Sequence, residues 1–180
     1  MTPAEILALS HKLEAGRRPL ADMPLLHGPG VYAFYLVEAG QLAPIEVDPA
    51  RPLYIGMTDQ CLSIRNHFGH AHSGFSTFRR SLGAILKSAL GLRAISRSPG
   101  SKSTLFRFTD EGEQRLTEWM RDSLQGAQHP IPADALASEK KLIAALHPAL
   151  NLTDWPNPQR PLIKRFRHAC AVEVQQGEGR

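Results

Sequence analysis

"GVYAFYLV", Gly30 to Val37, is the stretch on which the reading of this chain turns. Its β-branched and aromatic residues suit a pleated, half-buried surface, so it reads as a strand. "PLYIGMT", Pro52 to Thr58, has the same character, and "EAGQLAPIEVDPAR" between them has its own glycine and prolines. The pair predicts a hairpin with a long, decorated loop. Each strand carries a tyrosine two positions from a glycine: Tyr32 after Gly30, and Tyr54 before Gly56. Glycine in or beside a strand marks a place that a ligand or another backbone approaches closely. One strand tyrosine is ordinarily core packing. Two, each beside its glycine, ask for a further reason.

Outward from the hairpin, the chain reads mostly as helices. Thr2, Pro3 and Glu5 make a complete helix start, with a stop near Gly16 and an apolar stripe of Ile6, Leu9 and Leu13. A short helix is expected from Asp59 through "DQCLSIRNHFGH". A longer one, "STFRRSLGAILKSALGL", is capped by Ser76 and turns Phe78, Leu82, Ile85, Leu86 and Ala89 inward, with Arg79, Arg80 and Lys87 on its other faces. "TLFRFT", Thr104 to Thr109, alternates as a third strand. "DEGEQRLTEWMRDSL" opens with Asp110 and Glu113 in capping-box spacing and buries Leu116, Trp119 or Met120, and Leu124. The helix of "SEKKLIAALHPALNL" must end near Pro148. Its stripe of Leu136, Ile143 and Leu146 includes Glu139, a carboxylate on an apolar face that needs a cation or a metal ion opposite it. After three prolines a short final helix is expected, frayed from Val172 onward.

With 180 residues, 42% of them hydrophobic, the chain can bury one sizeable core. It reads as one domain: an N-terminal helix and linker over 1–27, a core over 28–153 and a basic extension over 154–180. No apolar run approaches the ~18 residues of a membrane span. A soluble, cytoplasmic protein is expected, and Cys61 and Cys170, in no CxxC spacing, fit a reducing compartment. A zinc site from Cys61, His67, His70 and His72 is disfavoured by irregular spacing. Net charge is only +4, yet no acid lies between Asp59 and Asp110, where Arg65, Arg79, Arg80, Lys87, Arg93, Arg97, Lys102 and Arg107 all fall. Such a run is either a solvated basic surface or a polyanion site. For the second, Arg79, Arg80 and Lys87 are the expected nucleic-acid contacts.

The two triplets, "GVY" and "YIG", resemble the signature of the GIY-YIG nuclease family, with Val31 in place of the first isoleucine. The rest of the family's pattern follows in order: Arg65 in "LSIRNHF", a histidine close behind it (His67, with His70 second), Glu139 on a later helix, and Asn151 in "HPALN". The resemblance runs from about Gly30 to Asn151. It implies an α/β (α+β) fold with a small three-stranded, mostly antiparallel sheet flanked by helices. It also implies an endonuclease that hydrolyses phosphodiester bonds, of DNA ahead of RNA, with one Mg²⁺ or Mn²⁺ held weakly without substrate.

The same resemblance implies the site: Tyr32, Tyr54, Arg65, His67 and Glu139 as catalytic residues, Glu139 as the metal ligand, and Gly30, Gly56 and Asn151 as structural support. The chemistry of those residue types agrees with it. Phosphodiester hydrolysis needs an activated water and positive charge on the non-bridging oxygens. A guanidinium clamps phosphate with paired hydrogen bonds. A phenol with pKa near ~10 is a poor base unless helped. The competing readings are a nucleic-acid-binding module that keeps the fold without cutting, and a plain Glu139–Arg65 ion pair. The extended hairpin loop, the basic segments or a partner protein would have to supply specificity.

Overall fold

Thr2 caps the first helix, α1 (Pro3–Ala15), by accepting from Glu5 N, while the Glu5 carboxylate accepts from Thr2 N at 2.6 Å. Gly16 closes it, its N–H donating to Lys12 O. In this computed structural model residues 1–24, 26–64, 72–98 and 105–178 are described. They form two compact units, residues 1–66 with 120–157, and 67–119 with 158–180. Among the described residues no helix is long and apolar enough to cross a membrane.

The first unit is built on a sheet of four antiparallel strands in the order β1 (Arg18–Pro19), β6 (Leu124–Pro130), β2 (Gly30–Leu36) and β3 (Tyr54–Thr58). The β2–β3 hairpin is the one the two triplets predict, with Tyr32 opposite Gly56 and Phe34 opposite Tyr54. One face of the sheet carries Val31, Ala33, Tyr35, Ile55 and Ala127, packed with Leu9 and Leu13 of α1 and with Leu142 and Ile143 of α4 (Ala135–Leu146). Because side chains alternate along a strand, Tyr32 and Phe34 stand on the opposite face. Tyr35 therefore belongs to the core, where burial pushes its phenol up to about 12 against the opposing pull of the Arg17 guanidinium 4.3 Å from its ring centre.

The second unit holds a separate hairpin, β4 (Ala94–Ser96) with β5 (Phe106–Phe108), beside α2 (Thr77–Leu86) and α5 (Arg160–Glu178). Helix α3 (Asp110–Ser123) crosses the boundary between units after Trp119. Ser76 caps α2 by accepting from Arg79 N. Gly83 on α2 lets the Phe108 ring come in where a Cβ would sit.

Four expectations are corrected. The strand of "TLFRFT" pairs with β4 rather than with the tyrosine hairpin, whose third strand is Leu124–Pro130 instead. Asp59 begins no helix: Asp59 and Gln60 form a bend and Leu62–Ile64 a turn, and the remainder of that segment lies outside the described residues. Glu113 does not close a capping box; its Oε1 accepts from Phe108 N and from Ser73, and Thr109 caps α3 by accepting from Gly112 N. The final helix is long and continues through Val172 to Glu178, with Cys170 and Val174 buried.

Candidate active site

The face of the sheet turned away from α1 and α4 gathers both signature tyrosines. The Tyr32 and Tyr54 rings lie 6.4 Å apart between centroids, tilted by 34°, and Phe34 lies 5.6 Å from Tyr32. Tyr32 is 2% exposed and Tyr54 half-buried. The Tyr32 phenol reaches across the strand onto Gly56, occupying the volume a Cβ there would fill. At Gly30 a Cβ would meet His129 O, Pro130 and the Leu62 side chain. Both glycines are thus places of close approach, one to an aromatic ring and one to the neighbouring backbone.

Asn151 holds the outer edge of β3. Its Oδ1 accepts from Ile55 N and its Nδ2 donates to Ile55 O, both at 2.9 Å, in the pattern of a neighbouring strand. Leu150 N donates to Leu53 O beside it. Asn151 is itself set by a tight loop in which Asn157 Nδ2 and Trp155 Nε1 donate to its carbonyl, and the His147 ring stacks on Trp155 at 4.9 Å.

Glu139 sits on α4, half-buried. The buried side of that helix is Ala135, Ser138, Leu142 and Ile143, and Leu136 is 52% exposed. The expected stripe is corrected at Leu136 and stands at Ile143 and Leu146: Glu139, four residues from both Ala135 and Ile143, lies within the packed arc of α4, a helix that packs on the sheet face opposite Tyr32 and Tyr54. Arg65, His67 and His70 lie outside the described residues.

The expected nucleic-acid contacts divide. Arg79 is corrected: its side chain is fully buried, with Nη2 donating to Glu113 Oε2 at 2.9 Å and to Thr117 Oγ1 at 2.9 Å, so its charge holds the second unit together and is closed to a phosphate. Lys87 pairs with Glu173 at 3.2 Å. Arg80 is 9% exposed and makes no ion pair among the described residues.

One residue on the tyrosine face has no signal in the sequence. Gln128 lies opposite Tyr32 on β6, its Nε2 directed at Leu62 O at 3.5 Å and its Oε1 buried without a partner. A glutamine in "LQGAQHP" looks like any loop residue until the strand pairing is known. The cleft of about 500 Å³ lined by Lys12, His129, Asp134, Ser138 and Lys141 contains neither signature tyrosine.

A family model described as the GIY-YIG catalytic domain matches residues 43–169. The chain belongs to the GIY-YIG family. The match takes in Tyr54, Gly56, Glu139 and Asn151 and begins downstream of the first triplet. In the GIY-YIG fold of this chain, that triplet is placed by pairing, Tyr32 against Gly56. No curated protein and no solved structure matches the chain. Family membership makes it a nuclease-type catalytic domain.

Proposed function

We propose that this GIY-YIG chain is an endonuclease that hydrolyses phosphodiester bonds in nucleic acid, DNA ahead of RNA, with one divalent ion. The observation that carries the reading is the Tyr32–Tyr54 pair on one sheet face, with Gly56 left bare so that the Tyr32 phenol can cross it.

The donor set suits Mg²⁺ or Mn²⁺ arriving with substrate. Among the described residues no three His, Cys, Asp or Glu side chains gather as a ligand set, which leaves Glu139 as a single hard oxygen donor on a well-formed helix. Mg²⁺ keeps several waters and is held by one or two carboxylates plus substrate phosphate oxygens, so one carboxylate is a fitting anchor. When bound, the ion supplies charge neutralisation on the phosphoryl and departing oxygens.

The chain's own groups do the rest. Tyr32 Oη, as a phenolate whose own proton has passed to His67, holds the attacking water and receives its proton as the new O–P bond forms; the P–O bond to the departing oxygen breaks, and that oxygen leaves as an anion and takes a proton from solvent. Tyr54 hydrogen-bonds the phosphate or that water. Arg65 clamps the non-bridging oxygens, and His67 assists the proton transfer. Gln128 Oε1, an acceptor, orients the water's second hydrogen. Asn151 keeps β3, and with it Tyr54, in register.

The test is cleavage of plasmid and branched DNA with Mg²⁺ or Mn²⁺. Tyr32→Phe, Arg65→Ala and Glu139→Ala are each expected to lose at least about 10²-fold in rate, the scale of removing a general base or a charge stabiliser. Binding without metal-dependent cutting on any substrate would make the chain a binding module instead.

A further inference from the structure

Basic side chains ring the loop Ser73–Phe75 of the second unit, and the Glu113 carboxylate that accepts from Ser73 N at 2.8 Å is already paired with Arg79. A Cβ on Gly74 would meet Arg97 Cγ at 2.8 Å and His72 Nδ1 at 3.0 Å. Arg80 Nη1 donates to Gly74 O at 3.4 Å and its Nη2 to Thr77 Oγ1 at 3.3 Å. The Arg97 guanidinium lies 5.2 Å from the centre of the Phe75 ring, and the His72 ring 5.2 Å from it. Burial first, and then the charges of Arg167 and Arg97, hold Arg80 below the ordinary arginine value; burial does the same to Arg167.

The arginines are cationic, and the cluster they form with His72 is desolvated and incompletely paired. Arg80 Nε, Arg97 Nε and His72 Nδ1 are buried with no hydrogen-bond partner, and Arg80, Arg97 and Arg167 form no ion pair among the described residues. Nearby acids already have cationic partners: Glu113, which also accepts from Ser73 of this loop and from Phe108 N, pairs with Arg79, and Glu173 pairs with Lys87 and accepts from Ala94 N. Clustered cations without a counter-charge are costly in a folded chain, and a bound anion removes that cost. The start of the ten-residue helix α2, capped at Ser76, adds positive potential at the same place. Phe75 beside it is 69% exposed.

We propose that His72, Arg80, Arg97 and Arg167 form a phosphate-binding subsite for nucleic acid, with the exposed Phe75 ring as a platform on which a base stacks. The subsite lies wholly within the second unit, whereas the tyrosines belong to the first. The source of its phosphate rests on the nuclease reading. Guanidinium forks match phosphate oxygens, and an aromatic face beside a basic groove is how a strand is held without sequence readout.

The test measures binding of labelled single-stranded and duplex oligonucleotides by anisotropy across a salt series, with Glu139→Ala and no divalent ion so that nothing is cut. Arg97→Gln and Arg167→Gln are each expected to weaken binding about tenfold near 0.1 M salt and to lower the slope of log K against log salt by about one. Phe75→Ala is expected to weaken the single strand several-fold more than the duplex. Arg167→Gln, on a half-buried helix position, should leave the melting temperature of ligand-free protein unchanged or raise it, where a merely structural arginine would lower it. Wild-type affinity and slope in both arginine variants would overturn the subsite. Stabilisation of the wild type by inorganic phosphate or pyrophosphate, lost in the variants while oligonucleotide affinity stays unchanged, would overturn its assignment to nucleic acid. Arginine-dependent binding by a wild type that never cuts would sink the nuclease reading alone, and metal-dependent cutting with arginine-independent binding would sink the subsite alone.

Discussion

Tyr32 stands directly opposite Gly56 in the β2–β3 register, and its phenol fills the space that a Cβ at position 56 would take. The glycine of the second triplet is thus the steric complement of the tyrosine of the first. Gly56→Ala is expected to destabilise the first unit by about 2 kcal/mol, in the range for overpacking a filled site. The same substitution placed on Tyr32→Leu should cost less than half as much, because the ring it strikes is gone. Urea unfolding of the wild type and the three variants of the cycle checks this, and additive effects would mean that ring and glycine do not meet.

Asn151 makes both halves of a backbone pair with Ile55 at the free edge of β3. Asn151→Ala leaves one buried N–H and one buried C=O unpaired, at about 1–3 kcal/mol each. Asn151→Asp keeps an acceptor for Ile55 N but sets a carboxylate oxygen against Ile55 O, so it is expected not to rescue the loss at neutral pH. Hydrogen exchange at the Ile55 amide, slow in the wild type and faster in both variants, is the direct readout.

Gln128 is expected to couple stability and activity with opposite signs. Its Oε1 is buried and unpaired, so Gln128→Leu removes an unsatisfied acceptor and is expected to leave stability unchanged or raise it by about 1 kcal/mol. If the amide orients the attacking water, the same variant cuts more slowly, by about tenfold in kcat, with KM little changed. Thermal melts and steady-state cleavage on one preparation give both numbers.

What the sequence made legible was local. The capping box of Thr2 and Glu5 and the β-rich runs around Tyr32 and Tyr54 carry their structure within a few residues, and both stand as read. The strand Leu124–Pro130 does not: "LQGAQHP" has two glutamines, a glycine, a histidine and a proline, and it becomes a strand because β2 pairs with it along all seven residues. It also follows α3 without an intervening residue, so no turn announces it. The α4 stripe stands at Ile143 and Leu146 but not at Leu136, because the helix rests on its Ala135, Ser138, Leu142 and Ile143 side, a choice made by the sheet beneath it.

Arg79 shows how far a distant partner can reverse a local reading. The helical pattern sets it apart from Phe78 and Leu82, yet Glu113, 34 positions on, draws it inside. Glu113→Ala removes the carboxylate that serves Arg79, Ser73 and Phe108 and is expected to cost about 3–5 kcal/mol, the scale for stranding a buried charge. Arg79→Lys keeps the charge but loses the Nη2 amino group that donates to both Glu113 and Thr117, and should cost about 2 kcal/mol. The salt slope of nucleic-acid binding should stay at its wild-type value in Arg79→Lys, in contrast to Arg97→Gln. A lowered slope would return Arg79 to the binding surface.

Cys61 and Cys170 differ in reactivity for opposite reasons. The Ser63 hydroxyl, 3.0 Å from Cys61 Sγ, and then the Gly28 backbone N–H draw the Cys61 thiol down to about 6, while burial pushes Cys170 up to about 12. The thiolate is the nucleophile, so iodoacetamide should label Cys61 alone in the folded protein, at a rate rising through a midpoint near pH 6. Because the folded value lies below the ordinary 9.0, the thiolate's contribution to stability is full above pH 9 and is lost as pH falls through about 6. Ser63→Ala removes the largest of these hydrogen bonds and should move the labelling midpoint upward. A wild-type midpoint near 9 would show that the hydroxyl does not hold the thiolate, and a Ser63→Ala midpoint unchanged from 6 would assign the shift to the backbone N–H groups and His27.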